Sequence, residues 1–452
     1  MPEITVPTDS VFTILKENIL VDGFHVVIDL EKSHGAVIVD ALEGKEYLDC
    51  YGYFATLPIG HNHPKLDDAG FRKSLMIAAL SNPANSDIYS REFAAFVKTF
   101  RQLAVPPEFR HLFFIAGGAL AVENAMKAAF DWKVQKNRTK GIQGGGDKIL
   151  HFVDAFHGRS GYTLSVTNTD PLKIRDFPRF DWPRVSSPKL VFPVDEAQAV
   201  AAEEKTFAEI DAAFKKDPHG IAAILIEPIQ CEGGDHHFRP QFFQRLRQYA
   251  DKHEALLIYD EVQTGLGVTG KMWAYQHFGV TPDIICFGKK TQVCGIMSTE
   301  RIDEVKDNVF RVSSRINSTW GGNLVDMVRC ARYLQIMDEE KLVDNAAKIG
   351  ARFKKGLEKM AADFTAVTNV RGLGLLMAFD LPDRDGRNWV RQRCWDAGLA
   401  TLPCGPRSLR FRPPLIFSEK EMNKSLTVLR KVLERYEEQT AWEPGPGRET
   451  PG

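Results

Sequence analysis

The chain has 452 residues, of which 44% are hydrophobic and 26% charged, with a formal net charge of −1. This exceeds one average domain and suits a soluble globular protein with a substantial core. The balanced charge, with no block of like sign, argues against nucleic acid or an anionic membrane surface as partner, which leaves a small molecule as the better default.

The N-terminal MPEITVPTDS has neither a basic nor an apolar region of signal-peptide type, and no apolar run approaches the about 20 residues that span a bilayer. Seven scattered cysteines, odd in number and not in metal-ligand spacing, add a reducing compartment without disulfides or zinc. The expected location is the cytoplasm. AVIVDALEGKEYLDC (36–50) alternates like short strands, whereas YGYFATLPIGHNHP (51–64) has the Gly and Pro content of a loop that packs on something. From about residue 75 the rhythm becomes strand and helix. HLFFIAGG (111–118) is an apolar run ending in paired glycines, and ALAVENAMKAAFDWKVQK follows with helical spacing. KILHFVDAFHG, IAAILIEPIQ, ALLIYDEVQ and PDIICFG are short apolar runs, as in strands covered on both faces. RPQFFQRLRQYADKHE lies between two of them and reads as an amphipathic helix with Pro240 near its start. Together they predict an α/β fold with a mostly parallel sheet. Helical segments and a smaller α/β portion follow from about residue 325, ending in the charged helix SEKEMNKSLTVLRKVLERYEEQ and a Pro/Gly-rich tail. The expected layout is an N-terminal segment (1–74) joining a small domain, a large domain (75–324), the rest of the small domain (325–440) and a loose tail (441–452).

Asp260 ends one apolar run, and Lys289 and Lys290 follow the next. A carboxylate and an amine at the carboxyl ends of neighbouring strands face the crevice where open α/β sheets bind ligands. A desolvated lysine near another cation has a lowered pKa and can form a Schiff base, and a carboxylate can keep a pyridine nitrogen protonated. A helix-capping aspartate and a surface lysine pair would look the same. In IAGGALAVENAMK, Gly118 and Ala119 stand where free amides at a helix N-terminus would hold a phosphate, although a tight turn has the same look. In FVDAFHGRSGYTLS, Phe156 can lie flat on an aromatic cofactor and Arg159 can grip a carboxylate; a core Phe and a solvated Arg are the plain alternative. STWGGN (318–323) offers the hydroxyl of Thr319 in a Gly-rich turn. LRFRPPL puts Arg410 and Arg412 in a short strand, where one can point inward or both can decorate an edge.

The order of these stretches, from GHNHP through AGGALAVENA, AFHGRSGYTLS, EPIQCEGGD, DEVQTGLGVTG and FGKKTQVCG to STWGGN and LRFRPPL, resembles the class III aminotransferases among the fold-type I pyridoxal-phosphate enzymes. The likeness covers nearly the whole chain, and DEVQTG followed at this spacing by a Lys after a strand is its most diagnostic part. It implies a seven-stranded sheet in the large domain, pyridoxal 5′-phosphate as cofactor and a homodimer. GGALAVENA, FHGRSGYTLS, FDWPR, FGKKTQVCG and NSTWGGN are closest to the branch that acts on L-lysine, with 2-oxoglutarate as acceptor. Residue by residue, the resemblance makes Lys289 the Schiff-base lysine, with Asp260 against the pyridine nitrogen. Gln263 would reach the ring hydroxyl, Phe156 would stack, Gly118 and Ala119 would hold the phosphate, and Thr319 would complete that site from the partner subunit. Arg159 would bind the lysine α-carboxylate or the distal carboxylate of 2-oxoglutarate. Arg412 would bind the keto-acid α-carboxylate, masked by Glu232 while lysine is bound. Two departures stand out. Cys231 replaces a usual glycine, so backbone angles closed to Cys would reset the Glu232 loop, and Ala116 replaces a serine near the phosphate.

The function expected is transfer of the lysine ε-amino group to 2-oxoglutarate in a ping-pong cycle. An ornithine or 4-aminobutyrate aminotransferase is the nearest alternative, and a non-catalytic binding protein of the same fold a second. A nicotinamide oxidoreductase lacks its G-x-G-x-x-G turn here.

Overall fold

In this computed structural model, which describes residues 5–441, the alternating segment near the N-terminus forms a hairpin. Strand β1 (Val37–Val39) pairs antiparallel with β2 (Glu46–Asp49). The following Gly/Pro-rich stretch packs inward as expected, for the Leu415 amide donates to the Pro58 carbonyl at 2.8 Å, and the Arg412 amide to that of Cys50, just before the stretch, at 2.7 Å.

The central sheet contains β3 (Phe109–Ile115), β4 (Lys148–Phe152), β5 (Arg184–Val185), β6 (Ile221–Ile226), β7 (Leu256–Asp260), β8 (Ile284–Phe287) and β9 (Cys294–Thr299). Their order is β3-β9-β8-β7-β6-β4-β5, seven strands with only β9 antiparallel to its neighbours. Every residue of β6, β7 and β8 is buried, and alternate side chains feed two different cores. Ile224, Leu257 and Ile285 join Phe242 and Phe243 of the helix Pro240–Lys252 on one side. Leu225, Ile258 and Ile284 meet Val122 and Trp132 of the helix Gly118–Thr139 on the other. Apolar cover on both faces is why these strands carry unbroken hydrophobic runs.

Strands β10 (Thr368–Leu373), β11 (Leu376–Asp380), β12 (Leu399–Ala400), β13 (Leu402–Cys404) and β14 (Ser408–Phe411) lie beyond the helices Leu324–Glu339 and Leu342–Asp363. Four of them form an antiparallel sheet in the order β10-β11-β14-β13. The fifth, β12, pairs parallel with β2, so the two ends of the chain share a sheet. The last helix, Glu419–Ala441, takes in the first residue of the expected 441–452 tail, whose remainder lies outside the described residues. No described helix is long and apolar enough to cross a membrane.

The two larger sheets meet through buried arginines. Arg371 on β10, 1% exposed, bonds Asp380 of β11 at 2.8 Å and donates through Nε to the carbonyls of Gly234 at 3.2 Å and Asp235 at 3.0 Å. Burial pushes the Asp380 carboxyl up, but Arg371, Asn369 and Ser408 outweigh it and hold it below the ordinary range. Arg371→Met strips that buried carboxylate of its main cation, leaving Asn369, Ser408 and the more distant Arg407 at 3.5 Å, so it is expected to cost about 3 kcal/mol, read as a lower urea midpoint at pH 7. Because the folded-state pKa is depressed, the pair's contribution is present above the unfolded value of about 4 and fades as pH falls below it. The gap between variant and parent should therefore narrow in acid.

Candidate active site

Parallel strands β7 and β8 stand side by side, with Asp260 opposite Cys286, so their carboxyl ends open on the same edge. Asp260 is the last residue of β7, and Lys289 follows β8 after a single glycine. Lys289 takes a left-handed backbone conformation (φ 54°), and the turn it starts sends the two lysines apart. Lys290 is buried and donates to the carbonyls of Gln263 at 2.7 Å and Ala55 at 3.2 Å. Burial, with the charge of Lys289, brings its amine down to about 7. Lys289 instead reaches a cavity of about 370 Å³ and has no hydrogen-bond partner among the described residues. Its amine is held below the usual lysine value by burial and then by Arg410.

Gly118, Ala119, Phe156, Arg159, Asp260 and Gln263 line that cavity with Lys289. Asp260 is held from both sides: His157 Nδ1 lies 2.8 Å from one carboxylate oxygen, and the Val262 amide donates to the other at 3.1 Å. Glu227, also on the wall, accepts from the amides of Phe156 at 3.0 Å and Cys231 at 3.1 Å. Burial, then the nearby Asp260, pushes its carboxyl well above the carboxylate range. The helix Gly118–Thr139 starts without a side-chain cap, leaving amide donors at its positive end on the cavity. The Phe156 loop packs tightly on this start: at Gly158 (φ 126°) a Cβ would sit 2.4 Å from that of Ala119. Arg159 is exposed, with no ion-pair partner among the described residues.

The arginine pairing differs from the sequence expectation. Glu232 faces Arg410, at 3.1 Å from Nη2, and not Arg412. Arg412 is fully buried and committed to Asp235 and to the Phe411 carbonyl, so it is not available to an incoming anion. Arg410 also donates to the Cys231 carbonyl and to Gln263 Oε1, each at 3.2 Å. With its oxygen taken there, Gln263 has its amide NH2 left for a ligand acceptor. The other oxygen of Glu232 accepts from Lys173 Nζ at 2.6 Å. Burial pushes this carboxyl up, yet Arg410 and Lys173 prevail and keep it below its ordinary range. Nor does Cys231 need glycine's freedom: it opens a right-handed turn, Cys231–Gly234, and the left-handed non-glycine residue is Asp235 (φ 51°). Thr319 is exposed and does not line the cavity; its loop is tied down by Asn85, which donates to the carbonyls of Trp320 at 2.8 Å and Gly322 at 3.1 Å.

The model of the class-III aminotransferase family matches residues 21–433. The chain is 49% identical over 428 residues to an L-lysine-epsilon aminotransferase of Mycobacterium tuberculosis, covering 94% of this chain and 95% of that protein. It is 47% identical to the enzyme of that name from Streptomyces clavuligerus, over 92% of each. Among solved structures, a lysine aminotransferase from M. tuberculosis superposes with a TM-score of 0.94 at 48% identity, over 95% of this chain and all of the other.

The chain is a class III aminotransferase. The cofactor of these enzymes is pyridoxal 5′-phosphate, and the donor set here fits it: an unpartnered amine, a carboxylate braced by His157 and the Val262 amide, uncapped helix amides and an aromatic ring on one cavity. Sequence reading overlooked two residues on the cavity wall, His157 and Glu227, and two that pair with side chains behind it, Asp235 and Lys173. His157 and Glu227 sit inside motifs read for their neighbours, Phe156 and the EPIQ strand end. Asp235 and Lys173 carry no local signal, because their partners lie more than a hundred and about sixty positions away in sequence. Replacing His157 by Leu removes one charge-assisted bond to Asp260, worth about 1.5–3 kcal/mol. Cofactor retention should weaken by roughly 10–100-fold, measured by equilibrium dialysis against pyridoxal phosphate.

Proposed function

We propose that this aminotransferase transfers the ε-amino group of L-lysine to 2-oxoglutarate. The products are L-glutamate and 2-aminoadipate 6-semialdehyde, which cyclises to 1-piperideine-6-carboxylate. The observation that carries this reading is the contrast between two arginines near Lys289: Arg159 is free, whereas Arg410 is covered by Glu232. Lysine brings one carboxylate, far from its reacting amine, and Arg159 can take it. 2-Oxoglutarate brings a second carboxylate beside its reacting carbonyl, and that group can replace Glu232 on Arg410. A site that must serve both in turn needs one permanent and one maskable cation. The names and near full-length similarity of the mycobacterial and streptomycete relatives support lysine over shorter amines.

The bound cofactor acts as an electron sink at the carbon that carries the amine. Around it, Asp260 would keep a positive charge opposite its carboxylate, braced by His157. Lys289 Nζ would carry the proton between the substrate's reacting carbon and the neighbouring position, a role favoured by an amine that burial has made easier to deprotonate. Phe156 would lie against the ring, the Gly118 and Ala119 amides would take the phosphate, and Gln263 would meet the ring hydroxyl through its NH2. Arg410 takes over the role first expected of Arg412. We place Thr319 in the phosphate site of a partner subunit, supported by its position outside its own chain's cavity, and this makes the working enzyme a homodimer. The division at about residues 75 and 325 belongs to the same reading and is supported by the separate sheets on either side. A cytoplasmic location is supported by seven free, buried cysteines.

Purified enzyme given L-lysine and 2-oxoglutarate should form glutamate and the cyclised semialdehyde in equal amounts. Faster consumption of ornithine or 4-aminobutyrate would overturn the lysine assignment. Lys289→Ala should lose the visible band of bound cofactor and fall to background turnover, whereas Lys290→Met should keep the band. The reverse result would exchange the two lysines.

A further inference from the structure

Lys173 is a further cation near the cavity, and its placement is unlike that of either arginine. It ends the short turn Pro171–Lys173, and its Nζ is 2.6 Å from Glu232 Oε1, 3.4 Å from Thr169 Oγ1 and 5.3 Å from the centroid of the Phe156 ring. The other carboxylate oxygen of Glu232 belongs to Arg410. The glutamate thus bridges two cations from opposite parts of the fold, one on β14 and one on a loop that follows the Phe156 segment.

This geometry bears on how the mask can open. If Arg410 were the only partner of Glu232, a substrate carboxylate arriving at Arg410 would leave a largely buried glutamate unpaired, and removing one partner of such a pair is strongly unfavourable. We infer that Lys173 is a positioning residue that keeps the displaced Glu232 paired when a dicarboxylate takes over Arg410, and so sets the affinity for the amino acceptor without changing that for the donor. The inference rests on the proposed exchange at Arg410. Glu232 need only release one oxygen and pivot about the other. Lys173 is itself held against the Phe156 ring face by a cation–π contact, so it has a fixed post from which to hold the glutamate.

The test uses the holoenzyme and glutarate, a dicarboxylate that lacks a reacting carbonyl, titrated by calorimetry. Lys173→Met should weaken glutarate binding about ten-fold and raise the KM for 2-oxoglutarate in step, as loss of one charge-assisted contact would. The donor half-reaction with L-lysine, followed as single-turnover loss of the cofactor's visible absorbance, should stay within about two-fold of the parent, the size of a surface-charge effect. Lys173→Arg should restore glutarate binding. In a Glu232→Ala background there is no glutamate to hold, so adding Lys173→Met should change nothing further. A loss of the same size in that background would mean that Lys173 contacts the substrate directly, and unchanged or tighter glutarate binding by Lys173→Met would mean that it locks the mask shut; either result overturns the inference. If the parent enzyme reacts with lysine but neither binds glutarate nor accepts 2-oxoglutarate, it is the acceptor assignment that fails, and the inference falls with it.

Discussion

Three buried guanidinium groups grip a single short turn, and the arrangement of the site depends on that grip. Arg371, Arg410 and Arg412 are all about 1% exposed or less and come from β10, β14 and the residue just past β14's end. Their targets lie within Cys231–Asp235, at the carboxyl end of the β6 segment: the carbonyls of Cys231, Gly234 and Asp235 and the carboxylates of Glu232 and Asp235. Taking charged groups out of water is costly, and the cost is recovered only when geometry and hydrogen bonding are nearly complete. Here backbone carbonyls supply the acceptors that carboxylates alone would not. The small sheet is thereby held in one position against the large one, and Glu232 inherits that position.

The large sheet provides the opposite face of the cavity by simpler means. Because β7 and β8 are parallel neighbours, whatever follows their last residues must appear on one edge. Asp260 arrives there directly. The lysine pair arrives through a turn whose first residue is left-handed, and this conformation, not charge, separates the two amines. Lys290 is consumed as a structural donor, tying the turn to the N-terminal segment through Ala55 and to the strand end through Gln263. Adjacent lysines with similar chemistry in solution thus acquire opposite duties from a single backbone torsion.

Much of this was legible in the residues. Unbroken apolar runs identify β3, β4, β6, β7 and β8 because both of their faces are covered, and the strand-edge placement of Asp260 and Lys289 follows from parallel pairing. Strand β9 was not foreseen, for CGIMST follows β8 after only six residues with no helix between, breaking the βα rhythm, and its Gly, Ser and Thr dilute the apolar signal. The two-residue β5 is too short to carry a period. At the site, residues inside long motifs could be placed, whereas the arginine partners could not. Arg410 on β14 and Arg412 just past its end are two apart and both reach the Cys231–Asp235 turn, so alternation cannot say which meets Glu232. The choice is made by Asp235, whose left-handed turn brings its carboxylate onto Arg412.

That choice also decides which pair can act as a movable mask. The Arg412–Asp235 pair is fully buried on both sides, and Asp380 opposite Arg371 is only 8% exposed. Opening the first would strand a charge with no water to replace its partner, and the second is tied further by Asn369, Ser408 and Arg407. The side chain of Glu232 is 29% exposed, although its arginine is not. Water and a second cation can therefore receive the glutamate as it leaves, and the guanidinium left behind is the one an incoming carboxylate can reach. Of these three arginine–carboxylate pairs, only the one with a partly exposed acid can exchange partners at low cost, and it is also the one facing the lysine amine.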